Sequence, residues 1–264
     1  MSSSSARVFA SQVRDRLADF APVSLEAIGQ QSSQDRCDTK FLLPQGQLRT
    51  LLDALQQDYR VLEVGGERLH RYRTLYFDTA GFDLYQRHQR SSRRALKIRS
   101  RQYVDSGRSF FEVKRKIGPR RTVKERTETP DIVTELTAAE GTFIAAHARV
   151  NTERLQPTIW NRFERITLVS KTSRERVTLD VGVHFKIETE AIRIPGVAVG
   201  ELKQERFDRT SAFFRHMRSL GCRPTGFSKY CIGAVLLFPH LKRSKARPKL
   251  RMLAKLAEGD RHAA

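Results

Sequence analysis

The spacing of apolar residues along the chain predicts two kinds of secondary structure. Residues 6–20 place apolar side chains at helical intervals, which predicts an amphipathic helix after a serine-rich start. From about residue 35 the pattern becomes that of strands, interrupted by helices. The predicted strands, after a first one at 36–40, are 71–78, 95–103, 109–117, 121–126, 158–169, 174–181, 183–190 and 197–204. The predicted helices are 46–59, 134–149, one from Thr210 to Gly221 and one from Ser228.

The predicted strands share an unusual distribution of charge. Successive side chains on a strand point to opposite faces, so each strand here has one apolar face and one face rich in cations. The charged faces hold Lys97, Arg99 and Arg101; Glu112, Lys114 and Lys116; Thr122, Lys124 and Arg126; Arg174, Arg176, Thr178 and Asp180; Glu201 and Lys203; and, in the first strand, Arg36, Asp38 and Lys40. An ordinary two-layer sheet with a charged solvent face explains any single strand. Because solvent faces mix both signs, the repetition favours a sheet closed into a barrel around an electropositive lumen, with helices covering its outer face.

Composition narrows the class of partner. Lysine and arginine total 49 against 29 aspartate and glutamate, a net charge of +20, which points to a polyanion: nucleic acid, an anionic membrane or a phosphate polymer. The three cysteines lack CxxC spacing and predict reduced core thiols in a cytoplasmic protein. Neither a membrane-spanning apolar run nor a signal peptide is expected.

A lumen lined with lysine and arginine suits phosphoryl transfer. That reaction needs positioning and cancellation of charge on phosphate oxygens more than covalent chemistry from the protein. Arginine matches phosphate oxygens bidentately. Carboxylates among the cations are candidate ligands for Mg²⁺ or Mn²⁺, which prefer oxygen donors.

A series of motifs in a fixed order carries a family resemblance. The motifs are RYRTLYFDTAGFDLYQRH (71–88), ALKIRSRQY, FFEVKRK, TVKER, LDVGVHF, VGELK and GFSKYCIGAVLL. Over roughly residues 24–238 the chain resembles the VTC domain, the catalytic domain of the vacuolar polyphosphate polymerase and its bacterial relatives, within the triphosphate tunnel metalloenzymes of the CYTH-like superfamily. The resemblance implies an α+β fold, a closed antiparallel β-tunnel of about eight strands with helices packed outside. It also implies a triphosphate bound in the tunnel with a divalent cation.

The resemblance assigns roles to particular residues. The cations that would bind substrate and take part in catalysis are Lys40, Lys97, Arg99, Lys114, Lys124, Arg162, Arg176 and Lys229. Lys203 and Ser228 would add substrate contacts, and Glu201, Glu112 and Asp180 are the candidate metal ligands. Glu201 matches the family's metal-binding glutamate, whereas a surface ion pair with Lys203 is the plainer interpretation. Glu112 could instead orient Lys114, and Asp180 could cap a turn.

Two positions depart from the family pattern. The N-terminal E-x-E-x-K of the superfamily is reduced to Arg36-x-Asp38-x-Lys40, which argues against the hydrolase branch. A lysine that precedes the Phe-Ser pair in the polymerase is Gly226 here, which removes one phosphate contact.

Three functions follow as hypotheses. The first is a polyphosphate polymerase that moves the terminal phosphate of ATP onto a polyphosphate chain; the others are a tunnel triphosphatase or polyphosphatase, and a non-enzymatic binder of polyphosphate or nucleic acid. Signatures of specific nucleic-acid binding are missing. The predicted organisation is an N-terminal tail and helix (1–23), a tunnel domain (24–240) and a basic C-terminal tail (241–264) with weak contact to anionic membranes.

Overall fold

The computed structural model describes residues 3–29, 37–90, 95–117 and 121–262 and has a mixed α+β fold. Arg36 of the reduced N-terminal motif lies outside the described residues. The helices are α1 (Ser3–Ala18), α2 (Leu25–Gly29), α3 (Leu48–Leu55), α4 (Asp83–Arg90), α5 (Ala138–His147), α6 (Ala212–Ser219), α7 (Lys229–Leu237) and α8 (Arg247–His262). The strands are β1 (Pro22–Val23), β2 (Cys37–Pro44), β3 (Tyr59–Leu62), β4 (His70–Thr79), β5 (Leu96–Tyr103), β6 (Ser109–Ile117), β7 (Arg121–Thr129), β8 (Leu155–Ser170), β9 (Arg176–Lys186), β10 (Ala191–Arg193) and β11 (Val197–Gln204).

One large sheet dominates the fold and confirms the antiparallel α+β class. Its main path runs β2-β11-β9-β8-β4-β5-β6-β7 with antiparallel pairing throughout, while β10 joins β9 and β3 joins β8. The sheet does not close: within the described part of the chain, the end strands β2 and β7 do not pair with each other. The backbone N–H of Thr225 donates to the carbonyl of Lys40 at 2.7 Å. The segment before α7 therefore lies along the outer edge of β2.

A bulge joins two predicted strands into one. The predicted strands 174–181 and 183–190 form the single strand β9, whose register against β8 shifts between Arg162 and Glu164. Gly182 lies at this shift with a φ of 61°, a conformation that glycine adopts without a steric penalty. The bulge resets the alternation, so Asp180 and Val183 face the same side of the sheet.

Helices cover both faces of the sheet. Side chains of α1, α3 and α6 pack with Ile166, Leu168, Val177 and Leu179 on the outer face, and Ile144 of α5 packs with the outer residues of β4–β6. Helix α7 lies on the other side, against Val199 and Phe185. A Cβ on Gly233 of α7 would come within 2.6 Å of the Phe185 ring, so the close approach requires glycine. The prediction that helices pack only outside the sheet is therefore wrong for α7.

Residues after 240 contribute to the core. Leu241, Ala246 and Leu253 are buried in the same apolar cluster as α7, and the Tyr85 hydroxyl donates to the carbonyl of Lys242 at 2.5 Å. Apolar burial of this kind is a main source of folding free energy. The segment expected to be a separate basic tail therefore packs as part of the domain. None of the described helices combines the length and apolar character that crossing a membrane requires.

The LYFDT motif has a structural explanation. Asp78 is fully buried at the end of β4, and its carboxylate accepts hydrogen bonds from the backbone N–H groups of Thr79, Leu84 and Tyr85. It also accepts one from the hydroxyl of Tyr230. Asp78 thus joins β4, α4 and α7, and so fixes the start of α7 against the sheet.

The cysteines agree only in part with the expected core thiols. All are free, but Cys231 is buried, Cys222 is half-buried and Cys37 is exposed on β2.

Candidate functional site

The side of the sheet that carries Lys40, Glu201, Asp180, Arg99 and Lys114 is called the charged face below. Directly paired residues on neighbouring strands point to the same side. Three cross-strand rows follow from the register: Lys40–Glu201–Thr178, then Asp38–Lys203–Arg176, and Lys97–Lys114–Lys124. Of the predicted cations, Lys40, Lys97, Arg99, Lys114, Lys124, Arg176 and Lys203 all lie on this face.

The charged face is concave. Leu42 of β2, Val199 of β11 and Tyr76 of β4 all belong to one apolar cluster with α7, and the rings of Tyr76 and Tyr230 lie 5.0 Å apart in it. In the order β2-β11-β9-β8-β4, the strands β2 and β4 are four intervals apart, which is about 19 Å on a flat sheet. An α-helix with its side chains is only about 10–12 Å across. The sheet therefore curls around α7.

Glu201 is the first of three carboxylates that are each held by two cations. Lys203 donates to it at 2.5 Å, and Lys40 donates to its other oxygen. Burial would raise the pKa of the Glu201 carboxyl, but Lys203, Lys40 and Lys114 outweigh burial and hold that pKa well below its usual value. Glu201 is therefore ionised and organises the ammonium groups around it.

Glu112 on β6 is the second such carboxylate. It is 1% exposed and accepts hydrogen bonds from Arg99 at 2.6 Å and from Lys124 at 3.1 Å. Burial would raise its pKa, but Arg99, Arg101 and Lys124 lower it far below the usual range. The carboxylate holds Arg99 in a fixed orientation, since a guanidinium paired in this way has little rotational freedom.

Asp180 on β9 is the third. Arg165 of β8 binds both of its oxygens, with Nε at 2.5 Å from Oδ1 and a terminal nitrogen at 2.8 Å from Oδ2. Lys229, the first residue of α7, donates to Oδ2 as well. Burial opposes ionisation of Asp180, yet Arg165 and Lys229 keep its pKa far below the usual range. The position of α7, fixed by Asp78, thus delivers Lys229 to the charged face.

Lys114 gives the site a testable dependence on pH. Burial is the main reason that its pKa is lowered to about 7. Repulsion from the cations Lys97, Lys40 and Arg99 also lowers this pKa, whereas attraction to Glu201 raises it. Below this pH the side chain carries the charge that attracts phosphate, and above it the charge is lost. We therefore expect tripolyphosphate to bind more tightly at roughly pH 6 than at pH 8.

The control is Lys114→Arg, because a guanidinium stays protonated over this range. Burial lowers the pKa of Lys229 to about 8. The titrations of Lys229 and of the ligand itself affect the wild type and the variant equally, so they cancel in the comparison. In calorimetric titrations the variant should show a flatter pH dependence than the wild type; identical profiles would contradict the assignment.

Two predicted site residues have other placements. Arg162 is exposed and points away from the charged face, because it is an odd number of residues from Arg165 and Phe163 on the same strand. The prediction that it lines the lumen is corrected on this ground. Ser228 caps α7, its hydroxyl accepting the N–H of Cys231 at 3.3 Å, so it positions Lys229.

Two cations of this face, Arg101 and Arg165, received no site role from the sequence. Alternation with Lys97 and Arg99 correctly placed Arg101 on the charged face, where its side chain donates to Thr74 at 3.1 Å. Arg165 was missed altogether. No pattern of comparable strength indicated it, because both faces of β8 mix apolar and charged residues.

A lysine from α8 occupies the space beside Gly226. A Cβ built on Gly226 would lie 3.7 Å from Cε of Lys249. Lys249 and Lys97 both lower the pKa of the Cys231 thiol, which burial raises. Where the family resemblance expected a lysine at position 226, this chain therefore places the side chain of another lysine nearby.

The three carboxylates differ as possible metal ligands. The described residues contain no group of three or more His, Cys, Asp or Glu side chains that could hold an ion. The side chain of Glu112 is 1% exposed and that of Asp180 is 4%, whereas that of Glu201 is 16% exposed. The side chain of Glu201 is therefore the most accessible of the three. One carboxylate fits an ion that takes its remaining ligands from substrate phosphates and water.

Comparison with known protein families gives one match, which covers most of the chain. The family model described as "VTC domain" matches residues 35–238. No curated protein matches the chain significantly.

Three solved structures are among those similar to the chain. A putative adenylyl cyclase from Hippeastrum, described as having a dominant triphosphatase activity, is 16% identical with a TM-score of 0.46, over 74% of this chain and 93% of that one. A putative adenylate cyclase from Bacillus halodurans is 13% identical with a TM-score of 0.46, over 77% and 98%. One from Vibrio parahaemolyticus is 14% identical with a TM-score of 0.40, over 72% and 86%.

Proposed function

Because the chain belongs to the VTC domain family, we propose that it transfers the terminal phosphate of ATP onto a polyphosphate chain at the charged face. The observation that carries the proposal is the concave arrangement of cations that outnumber their carboxylates. Each of Glu201, Glu112 and Asp180 fixes two cations, and a bound phosphate chain can share the remaining donors of those cations. Such a site is built before the substrate arrives, which is how charged sites lower a barrier without reorganisation.

The proposed reaction needs no side-chain nucleophile. A terminal oxygen of the polyphosphate attacks the γ-phosphorus of ATP, a new P–O bond forms, and the bond to the β–γ bridging oxygen breaks to release ADP. Arg99 and Arg165, each fixed by a buried carboxylate, would bind phosphate oxygens through their free N–H groups. Lys40, Lys97, Lys114, Lys124, Lys203, Lys229 and Arg176 would add charge along the chain of phosphates.

A divalent ion, Mn²⁺ or Mg²⁺, belongs to this proposal. Glu201 would hold it together with phosphate oxygens of the substrate, and the ion would supply Lewis-acid charge to those oxygens. Glu112 and Asp180, buried beneath their cations, would act as organisers of arginine and lysine instead. We further propose that the substrate lies along the charged face in the way that it would lie inside a closed tunnel, although β2 and β7 are not paired with each other.

The decisive experiment is incubation of the purified protein with ATP, Mn²⁺ and a short polyphosphate primer, with the products separated on a gel. Products longer than the primer, together with ADP, are expected. Release of orthophosphate without longer chains would replace the proposal with a triphosphatase. If neither ADP nor orthophosphate forms while polyphosphate binds, the protein is a binder and not an enzyme.

A further inference from the structure

A row of basic residues crosses the outer face of the sheet, away from the charged face. Arg73 of β4 pairs directly with Arg162 of β8, Arg162 pairs with His184 of β9, and His184 pairs with Arg193 of β10. Residues paired in this way share one face of the sheet. These four residues are called the outer row.

The outer row places the guanidinium groups of Arg73 and Arg162 on directly paired residues, and like charges in such positions cost stability in a sheet. Arg162 and Arg193 are exposed, and neither forms an ion pair with any residue that the structure describes. The nearest carboxylate on β8, Glu164, is paired in register with Arg71 instead. Together with burial, Arg193, Arg162 and Lys186 lower the pKa of His184, so three cations surround this ring. The row is therefore an uncompensated concentration of positive charge.

The row is also organised by the fold. Strand spacing of about 4.8 Å gives four strands a span of roughly 14 Å. Gly182 makes the alignment possible, because the bulge there turns His184 to the outer face beside Arg162. At one end the Arg73 guanidinium lies 4.3 Å from the centre of the Trp160 ring, which holds its side chain in place.

We propose that the outer row is a second binding site for a linear phosphate polymer, separate from the charged face. A polymer lying across the strands would meet Arg73, Arg162 and Arg193, and Lys186, which is exposed two residues beyond His184, would supply the cation of β9. Binding of this kind would keep a long chain on the protein while its end occupies the charged face.

Other polyanions fit the outer row less well. Single-stranded nucleic acid is usually bound through aromatic rings on which bases stack, but Trp160 is covered by Arg73 and packs against the core near α5. A membrane surface would favour apolar residues beside the cations. The exposed large apolar residues of the described chain are Val8, Leu25, Ile117, Phe207 and Met252, and none belongs to the row.

The test is the double variant Arg162→Ala/Arg193→Ala, with Arg206→Ala/Arg218→Ala as a control that removes the same charge from exposed positions elsewhere. Each protein is titrated with tripolyphosphate and with a long polyphosphate at several salt concentrations. The outer-row variant should bind long polyphosphate roughly tenfold more weakly and tripolyphosphate equally well, and the slope of log K against log salt should fall by about 1.4 for two lost contacts. The control should retain the wild-type values.

Several results would overturn the proposal. They are an unchanged affinity and salt slope in the outer-row variant, an equal loss in the control, or an equal loss for tripolyphosphate. Row-dependent binding of single-stranded RNA or anionic vesicles that is tighter than polyphosphate binding would assign the row to that partner instead. Arg193→Glu provides a second variant in case the double variant does not fold. Failure of the wild-type protein to bind tripolyphosphate would refute the proposed function. Titration with long polyphosphate would still test the outer row in that case.

Discussion

Replacing Glu201 with glutamine is expected to lower turnover of ATP by roughly a hundredfold or more, the effect of removing one strong electrostatic contact from an active site. Glutamine keeps the shape of the side chain but removes the charge that would hold a divalent ion. Binding of metal-free polyphosphate should survive or tighten, since Lys40 and Lys203 lose their carboxylate partner and become free for phosphate. The two measurements are initial rates with Mn²⁺ and calorimetric titration in the presence of a chelator.

Glu205→Gln is the matched control, because Glu205 follows the same strand but is exposed and pairs with Arg174. It should turn over at the wild-type rate. Normal turnover by the Glu201 variant with Mn²⁺ and Mg²⁺ would mean that Glu201 is not the essential metal ligand. Weaker metal-free binding would show instead that its main role is to position the two lysines.

A second large effect is expected from Arg165→Ala. This change leaves the buried carboxylate of Asp180 with Lys229 as its remaining cation. Removal of one partner from a buried ion pair destabilises proteins by about 3–5 kcal/mol, because the other charge stays buried. The free energy of unfolding in urea should fall by that amount. Arg165→Lys should fold better, since it keeps the charge, yet bind tripolyphosphate more weakly without the bidentate geometry.

The same strand provides the control for Arg165. Arg162→Ala removes the same side chain from the exposed opposite face, and we expect it to change stability by less than about 0.5 kcal/mol. It should also leave tripolyphosphate binding intact. If Arg162→Ala weakens tripolyphosphate binding and the Arg165 variants do not, the assignment from the family resemblance is right and the one from the structure is wrong.

The sequence alone determined the long strands and most of the charged face, but it did not predict the short strands β1, β3 and β10. Alternation along β5 and β6 placed Lys97 with Arg99 and Glu112 with Lys114, and the register confirms both pairs. This worked because alternation is a local property of an extended chain and does not depend on the neighbouring strands. The family resemblance added an expected relation between strands far apart in the sequence. The family model confirms the domain over residues 35–238.

The tertiary structure decided what depends on contacts between distant segments. Alternation along β8 could not tell whether Arg162 or Arg165 lines the charged face, because each face of that strand is apolar in one half and charged in the other. The choice follows from packing: Ile166 and Leu168 lie beneath α1, α3 and α6, which turns Arg165 towards Asp180. In the same way, the edge of β2 is occupied by a segment nearly two hundred residues later, and α8 packs into the core. Such placements are set by long-range packing free energy, which no local pattern encodes.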